Sequence, residues 1–267
     1  MELVYILGPG HCGSTLLSLM LNRHPDVIAV SEIVSLNADR AGFAGDEDFR
    51  DAPFWQSVAA DFEKSNGGPF WQVPFHHRAL RDGVAPAEWN ARNLDALRSI
   101  SNVAGAGHIA DASKQPGRVE ALVDIPGLTV RVIYLVRDAR AVVHSYDRKY
   151  KSILHGIRKV RRIERRARTL QARLPDENWL EVRYEDLVTD PREALARICG
   201  LLNAPFDNQM LDPDPASFVG IGGNRMRNRP VKAITLDEAW RKQMPMHKRL
   251  VSGLALRTLN RRHGYES

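Results

Sequence analysis

Cysteine and long apolar runs are both scarce in this chain of 267 residues. Its two cysteines, Cys12 and Cys199, lie far apart and cannot build a disulfide framework, which indicates a reducing compartment. The first apolar run, Leu3–Leu7, is too short for the core of a signal peptide. Nowhere does the chain approach the roughly 18 apolar residues that a membrane-spanning helix needs. We therefore expect a cytoplasmic protein without a membrane span.

Lysine is scarce as well. Of the 38 Lys and Arg residues only 8 are Lys and 30 are Arg, and the formal net charge is +6. Arginine binds phosphate and sulfate through two parallel hydrogen bonds, so an anionic partner is expected. The chain has neither an aromatic-studded basic strand nor zinc-finger spacing, which argues against a nucleic-acid partner. Its nine histidines include no i, i+4 pair backed by acidic residues, so we expect no metal site.

Short apolar runs alternate with helical patterns along the chain. The predicted strands are Leu3–Leu7, Val27–Val30, His108–Ala112, Thr129–Val136 and Trp179–Tyr184, and the predicted helices are Thr15–Asn22, Pro116–Val123, Asp138–Tyr150, Gly156–Leu174 and Pro191–Leu202. This alternation is typical of βαβ units, so we expect an α/β fold: one three-layer α/β/α domain over residues 1–267, with a central parallel sheet. The irregular stretch 40–107 is interpreted as a mostly helical insertion, and residues 217–267 as a C-terminal lid and helices.

A glycine-rich loop, Gly8–Thr15, follows the first strand and opens the first helix. In this setting backbone N–H groups and a helix N-terminus cradle an anionic phosphate, so the loop is P-loop-like. Loops that hydrolyse nucleoside triphosphates carry Lys before the final Ser or Thr, whereas this chain has Ser14. Arg137 likewise stands at a strand end where a magnesium-holding protein would place an acid. We predict a nucleotide site in which protein groups, rather than a metal, neutralise the phosphates.

The His11-Cys12 pair suggests a rival interpretation. Cysteine phosphatases also hold their nucleophile in a glycine-rich loop before a helix. They need an arginine six residues after the cysteine, and Ser18 occupies that position here. We therefore interpret Cys12 as a small residue whose backbone N–H matters.

The predicted helix Gly156–Leu174 has a very basic outer face. Its apolar residues keep helical spacing, while Arg and Lys occupy most other positions, so the helix is amphipathic. The basic face is either simply solvated or an electrostatic funnel for an acidic substrate. The sequence leaves both interpretations open.

Three stretches of the chain resemble motifs of sulfotransferases that use 3′-phosphoadenosine 5′-phosphosulfate (PAPS). Gly8–Glu32 is similar to the family's phosphosulfate loop with its helix and following strand, and Arg131–Tyr146 to its 3′-phosphate motif. Arg183–Leu202 is similar to a strand and helix common in the superfamily. The motif style resembles bacterial and protein-tyrosine sulfotransferases. The resemblance implies metal-independent transfer of a sulfuryl group from PAPS to a hydroxyl of a small-molecule, carbohydrate or peptide acceptor.

The resemblance also implies catalytic roles for three residues. Glu32 corresponds to the general base that accepts the proton of the acceptor hydroxyl, and Lys114 to the lysine that contacts the bridging oxygen and the sulfuryl group. His11 falls where the family usually has Lys or Arg. An imidazole supplies a full charge there only if neighbouring phosphates raise its pKa.

The cofactor contacts implied by the resemblance are Gly10, His11, Cys12, Gly13, Ser14, Thr15, Arg137, Ser145, Tyr184, Arg225 and Arg229. Arg137 and Ser145 would clamp the 3′-phosphate, since both can reach one anion from a strand end and the helix that follows. Tyr184 would contact adenine or serve as a half-buried strand residue. The segment Gly222–Pro230 is interpreted as a cofactor lid; if it is extended, its alternate arginines all point to one side.

Two other functions remain open at this point. One is a Mg²⁺-dependent P-loop kinase of small molecules, and the other is a non-enzymatic anion-binding or nucleic-acid-binding module that uses the basic helix. The acceptor would be chosen by residues 40–107 and the lid, where the sequence pattern is weakest. The sequence does not indicate an oligomeric state.

Overall fold

The computed structural model describes residues 1–36, 49–228, 231 and 233–265. Within these residues, five strands form one sheet with the order β2-β3-β1-β4-β5. The strands are β1 Glu2–Leu7, β2 Val27–Ser31, β3 His108–Asp111, β4 Thr129–Val136 and β5 Trp179–Arg183. The pairs β1–β3, β2–β3 and β4–β5 are parallel, with Val4 opposite Ala110, Val27 opposite His108 and Val132 opposite Trp179. The predicted α/β fold with a parallel sheet is confirmed.

The helices alternate with the strands as expected. Their bounds are α1 Ser14–Leu21, α2 Pro53–Asn66, α3 Pro86–Ala104, α4 Pro116–Leu122, α5 Ala139–Tyr150, α6 Ile153–Gln171, α7 Tyr184–Thr189, α8 Pro191–Leu202, α9 Ala239–Gln243 and α10 Met246–Arg262. Asp190 is the N-cap of α8, its side chain accepting a hydrogen bond from the Glu193 N–H, and Pro191 takes the first helical position. No helix in the described part of the chain is long and apolar enough to cross a membrane.

The chain divides into two compact units. The first comprises Met1–Tyr5, Thr15–Arg131 and Phe206–Val231. In this unit α2 and α3 pack together, and Trp55, Phe62 and Phe70 form a cluster of aromatic rings in its core. The described part of the predicted insertion is therefore helical. Burying Trp55 and Trp89 makes them core residues rather than the lining of an open cleft.

The second unit comprises Ile6–Ser14, Val132–Pro205 and Lys232–Ser267. Its helices α5 and α6 form a hairpin against which α10 packs. Val142, Val143, Val160 and Leu256 lie in the core between these helices. On β4 the run Val132–Val136 is buried, as expected for a parallel strand covered on both faces.

Two predicted elements have clearly wrong boundaries. Tyr184 does not end a strand but begins α7, directly after β5. The basic helix predicted over Gly156–Leu174 begins and ends three residues earlier, as α6, because the Ser152 side chain caps it by accepting a hydrogen bond from the His155 N–H.

Candidate active site

The glycine-rich loop after β1 is held by Tyr146 of α5. The Gly10 N–H donates to the Tyr146 hydroxyl oxygen at 3.2 Å, and a Cβ at position 10 would lie only 2.7 Å from that oxygen. The His11 ring packs edge-on against the Tyr146 ring with centroids 5.2 Å apart. His11 has a left-handed backbone with φ of 67°. The loop is therefore fixed by tertiary contacts and has no room for a side chain at Gly10.

Tyr184 fixes the other end of the loop. A Cβ on Gly13 would lie 2.4 Å from the Tyr184 ring, and Gly13 has φ of 101°, so only glycine fits. Tyr184 is buried, and burial raises the pKa of its hydroxyl although nearby Arg137 opposes the shift. Cys12, between the two glycines, is fully buried. The tyrosine that we expected to contact adenine thus also supports the loop.

Arg137 directly follows β4, and its guanidinium contacts the glycine-rich loop, Tyr184 and Asp237. Its guanidinium lies 4.3 Å from the centroid of the Tyr184 ring and donates to the His11 carbonyl at 3.0 Å. The other terminal nitrogen donates to the Asp237 carbonyl at 2.8 Å and to the Asp237 carboxylate at 3.0 Å. The Nε atom of Arg137 is buried and has no hydrogen-bond partner among the residues that the structure describes. Sequence reasoning missed Asp237, because an acid in a loop gives no local signal.

The contact with Arg137 also changes the acidity of Asp237. Partial burial alone would raise the pKa of the Asp237 carboxyl, but the hydrogen bond from Arg137 lowers it below its ordinary value. An anionic oxygen is therefore already bound to this arginine.

Ser145 is the residue predicted to share an anion with Arg137. Its hydroxyl donates a hydrogen bond to the Ala141 carbonyl at 3.2 Å.

The other predicted catalytic pair lies in the first unit. The Lys114 ammonium donates to the Glu32 carboxylate at 2.6 Å and to the Ala112 carbonyl at 2.9 Å. Glu32 directly follows β2, and Lys114 lies three residues after β3. Both side chains are mostly buried, with 24% and 15% exposure respectively. The structure therefore brings the predicted base and the predicted lysine into direct contact.

A buried ion pair positions the segment that carries Lys114. Arg118 of α4 is fully buried, and its Nε donates to Asp111 at 2.9 Å. The other Asp111 oxygen accepts from the Ser113 N–H at 2.8 Å, and the Arg118 guanidinium also donates to Asn93 at 2.8 Å. Sequence reasoning missed this network. The only signal was Asp111 itself, an acid at the end of an apolar strand.

The start of the predicted lid contacts β2 and the loop's last residue within the first unit. Ile221 forms an isolated parallel bridge with Ser31, and the Glu32 N–H donates to the Ile221 carbonyl at 2.8 Å. The Asn224 N–H donates to the Thr15 hydroxyl at 3.0 Å. Thr15 is thus connected to residues more than 200 positions away in the chain.

The segment that carries the lid arginines is not extended at Arg225–Asn228. Residues Arg225–Asn228 form a 3₁₀ helix, in which alternate residues do not share one side. Arg227 donates to the Gly220 carbonyl at 3.3 Å. The side chain of Arg225 and the whole of Arg229 lie outside the described residues.

A family model decides the identity of the chain. The model described as "Sulfotransferase family" matches residues 4–208. The chain belongs to the sulfotransferase family. The matched range contains every predicted site residue except Arg225 and Arg229.

Solved structures of other sulfotransferases share the fold of this one. The sulfotransferase domain of the Synechococcus PCC 7002 olefin synthase is 21% identical with a TM-score of 0.59, over 100% of this chain and 96% of that domain. The sulfotransferase domain from the curacin biosynthetic pathway is 17% identical with a TM-score of 0.58, over 99% and 98%. Sulfotransferase STF9 from Mycobacterium avium is 14% identical with a TM-score of 0.55, over 98% and 77%.

No curated protein sequence matches this sulfotransferase. Across the described residues, no three His, Cys, Asp or Glu side chains are placed to hold a metal ion. Family and fold together make the chain a sulfotransferase enzyme, and the previously open kinase function has no support from either.

Proposed function

We propose that this sulfotransferase moves a sulfuryl group from PAPS to a hydroxyl of a small-molecule, carbohydrate or peptide acceptor by in-line displacement. The observation that carries the proposal is the environment of Arg137. Its guanidinium is buried against Tyr184, binds a carboxylate oxygen of Asp237, and has an Nε donor without a partner. A buried arginine with a spare donor and an anionic ligand suits a phosphate group.

The donor's two phosphate ends would bind different groups. Arg137 and Ser145 would hold the ribose 3′-phosphate, which replaces the Asp237 carboxylate on the guanidinium. Backbone N–H groups from Gly10 to Thr15 would hold the 5′-phosphosulfate at the start of α1. The fit is supported by the conformation of the loop, which is fixed because a Cβ at Gly10 or Gly13 would meet the hydroxyl or the ring of a tyrosine.

When bound, PAPS supplies an activated sulfuryl group whose transfer leaves adenosine 3′,5′-bisphosphate. The transfer passes through a loose transition state, so positioning and cationic stabilisation supply most of the acceleration. His11 would donate a hydrogen bond to the leaving phosphate. Lys114 would turn from Glu32 toward the negative charge that develops on the sulfuryl oxygens.

The Glu32–Lys114 contact has a consequence for proton transfer. The Lys114 ammonium donates to a Glu32 carboxylate oxygen at 2.6 Å, so that oxygen is occupied while the contact lasts. When Lys114 turns away, the oxygen is available to accept the proton of the acceptor hydroxyl. Proton transfer from the acceptor hydroxyl would therefore be coupled to the movement of the lysine.

Binding of the 3′-phosphate can be tested without knowing the acceptor. We expect adenosine 3′,5′-bisphosphate to raise the melting temperature more than ADP or AMP does, since only the first carries a 3′-phosphate. Arg137→Ala should weaken its binding by about 10-fold to 100-fold, the usual loss for a charged hydrogen bond, and leave AMP binding nearly unchanged. Equal stabilisation by all three nucleotides would refute the proposal.

The base is tested once a hydroxyl acceptor is found in a screen with PAPS. Glu32→Gln should lower kcat by about 10²-fold to 10⁴-fold while leaving the Kd for adenosine 3′,5′-bisphosphate unchanged. A fully active variant would remove Glu32 from the mechanism. The burial of both cysteine thiols, Cys12 and Cys199, supports the expected cytoplasmic location.

A further inference from the structure

The helices α6 and α10, both in the second unit, together have a net charge of +11, compared with +6 for the whole chain. Between them they have 12 Lys and Arg residues and a single carboxylate, Glu164. The remaining residues of the chain have five more acidic than basic side chains. Glu164 is buried and accepts hydrogen bonds from Tyr134 and Arg262, so it does not offset the exposed charge.

The outer face of α10 is also apolar over its first three turns. Met246, Leu250 and Leu254, spaced four residues apart, are 72%, 58% and 74% exposed, and neighbouring Val251 is 46% exposed. Leu154, in the first turn of α6, is 56% exposed. Seven large hydrophobic side chains are exposed among the described residues, and these five belong to the two basic helices.

The apolar face of α10 is fixed in its outward orientation. On the opposite side of the helix Ser252, Leu256 and Asn260 are buried, and the Asn260 side chain accepts a hydrogen bond from the Ala139 N–H at 3.0 Å. Lys248 forms a 2.6 Å ion pair with Asp147 near the other end of the helix. The exposed leucines therefore cannot turn inward without breaking these contacts.

A groove separates α10 from α6, and its far wall is cationic. Arg161, Arg165 and Arg168 of α6 line it opposite Thr258 and Leu259 of α10. The two helices that line this groove also carry the exposed residues that we call the basic-apolar face: Arg158, Arg161, Arg165 and Arg168 of α6 with Met246, Leu250, Leu254, Arg257 and Arg261 of α10.

We propose that the basic-apolar face docks onto an anionic lipid surface. Arginine side chains would engage lipid phosphates, while Met246, Leu250 and Leu254 enter the boundary between headgroups and acyl chains. The named residues of this face are cations beside a projecting apolar stripe, with no acid among them. Helices that lie in a membrane interface favour this composition. The acidic remainder of the chain would be repelled by the same membrane, which orients the protein.

Other occupants match the observations less well. A second copy meeting this face through a two-fold axis would bring cations against cations. A nucleic acid would engage the arginines but leave the three apolar side chains without a role. An acidic protein would need pockets shaped for those side chains, whereas lipid chains adapt to them. The proposal does not depend on the identity of the sulfuryl donor.

Co-sedimentation with vesicles tests the proposal on the full chain. We expect binding to vesicles of phosphatidylcholine with 30% phosphatidylglycerol, and at least tenfold weaker binding to pure phosphatidylcholine. Salt should weaken the binding to the anionic vesicles. No binding to the anionic vesicles, or equal binding to both kinds, would overturn the proposal.

Two variants separate the apolar from the electrostatic contribution. Leu250→Ser with Leu254→Ser should lower partitioning onto anionic vesicles at least tenfold. The triple change of Arg158, Arg165 and Arg168 to Gln should lower it by about 100-fold, at about fivefold for each cation.

Matched controls lie in the first unit. Arg78, Arg81 and Arg98 are exposed, so changing all three to Gln removes the same net charge elsewhere and should lower partitioning far less. Met226→Ser is the control for loss of an exposed apolar side chain. If the control triple weakens binding as much as the α6 triple, only net charge is at work and the proposal fails.

A probe at position 254 reports insertion directly. Because both native thiols are buried, Leu254→Cys can be labelled selectively with an environment-sensitive fluorophore. Its emission should shift to the blue on anionic vesicles, and that of the same label on Met226→Cys should not. The alternative outcome combines two results: vesicles produce no blue shift of the emission, and double-stranded DNA binds equally well to the protein with and without the two leucine changes. The face would then be a nucleic-acid surface, and the proposal would fail.

Discussion

His263, at the C-terminal end of α10, connects that helix to β5 and α6 and makes the stability of the second unit depend on pH. Its two ring nitrogens lie 2.7 Å from Glu181 and 2.9 Å from Glu164. Burial alone would lower the pKa of His263, but its hydrogen bonds to Glu164 and Glu181 raise it to about 9. The histidine is therefore charged at neutral pH.

The size of the effect follows from the difference between folded and unfolded protein. One pKa unit corresponds to about 1.4 kcal/mol, so a rise from 6.5 to about 9 corresponds to about 3 kcal/mol. This stabilisation is fully present below pH 6.5 and is lost as the pH rises through 9. For a chain of this length the loss equals a fall in melting temperature of about 6 °C.

Thermal unfolding at pH 6 and pH 9.5 measures this difference in the wild type and in His263→Gln. We expect the wild type to lose about 6 °C more than the variant over this interval. His247→Gln, an exposed histidine change on the same helix, should behave like the wild type. Parallel pH dependence of the wild type and His263→Gln would refute the argument.

Three further predictions concern single side chains. Asp237→Asn removes the anion that competes for Arg137. Because a half-exposed ion pair contributes about 1 kcal/mol, titration calorimetry should show that adenosine 3′,5′-bisphosphate binds the variant about fivefold more tightly. No gain in affinity would mean that Asp237 only orients the arginine. Gly13→Ala should lower the free energy of unfolding in urea by about 3 kcal/mol, because the new Cβ collides with Tyr184 and the backbone is strained. Gly83→Ala is the control: its φ of 104° is also strained but the space beside it is open, so the loss should be about 1 kcal/mol. Arg118→Met leaves a buried carboxylate unpaired and should cost about 3–5 kcal/mol; a loss below about 1 kcal/mol would contradict this.

The sheet and most of the helices could be predicted because their signals are local. Thr129–Val136 is rich in β-branched residues and ends in the apolar run Val132–Val136, and β4 has the predicted bounds. Asp190-Pro191 is an N-cap followed by proline, and α8 begins where the pair predicts. The glycine-rich loop was likewise recognisable from residue types alone, and Gly10 and Gly13 have the close neighbours that require glycine.

The parts of the candidate site that could not be predicted depend on residues far apart in the chain. Arg137 and Asp237 are 100 positions apart, and the Lys114–Glu32 contact joins residues 82 positions apart. Single-sequence patterns identify each strand end but not its partner. The 3₁₀ helix Arg225–Asn228 could not be predicted either, because arginines at alternate positions are equally compatible with a strand; it follows two glycines with positive φ, Gly222 and Gly223.

Backbone strain is concentrated at the ends of three neighbouring strands. His11, Ser31 and Lys114 have φ of 67°, 55° and 55°, a left-handed conformation that costs a non-glycine residue about 1 kcal/mol or more. Each is held there by tertiary contacts: the first by Arg137 on its carbonyl, the second by its bridge to Ile221, and the third by the contacts of its own ammonium group. Glycine or asparagine would relieve this strain. Neither could supply the chemical roles proposed above for His11 and Lys114, whereas the Ser31 turn directs the next residue, Glu32, toward Lys114.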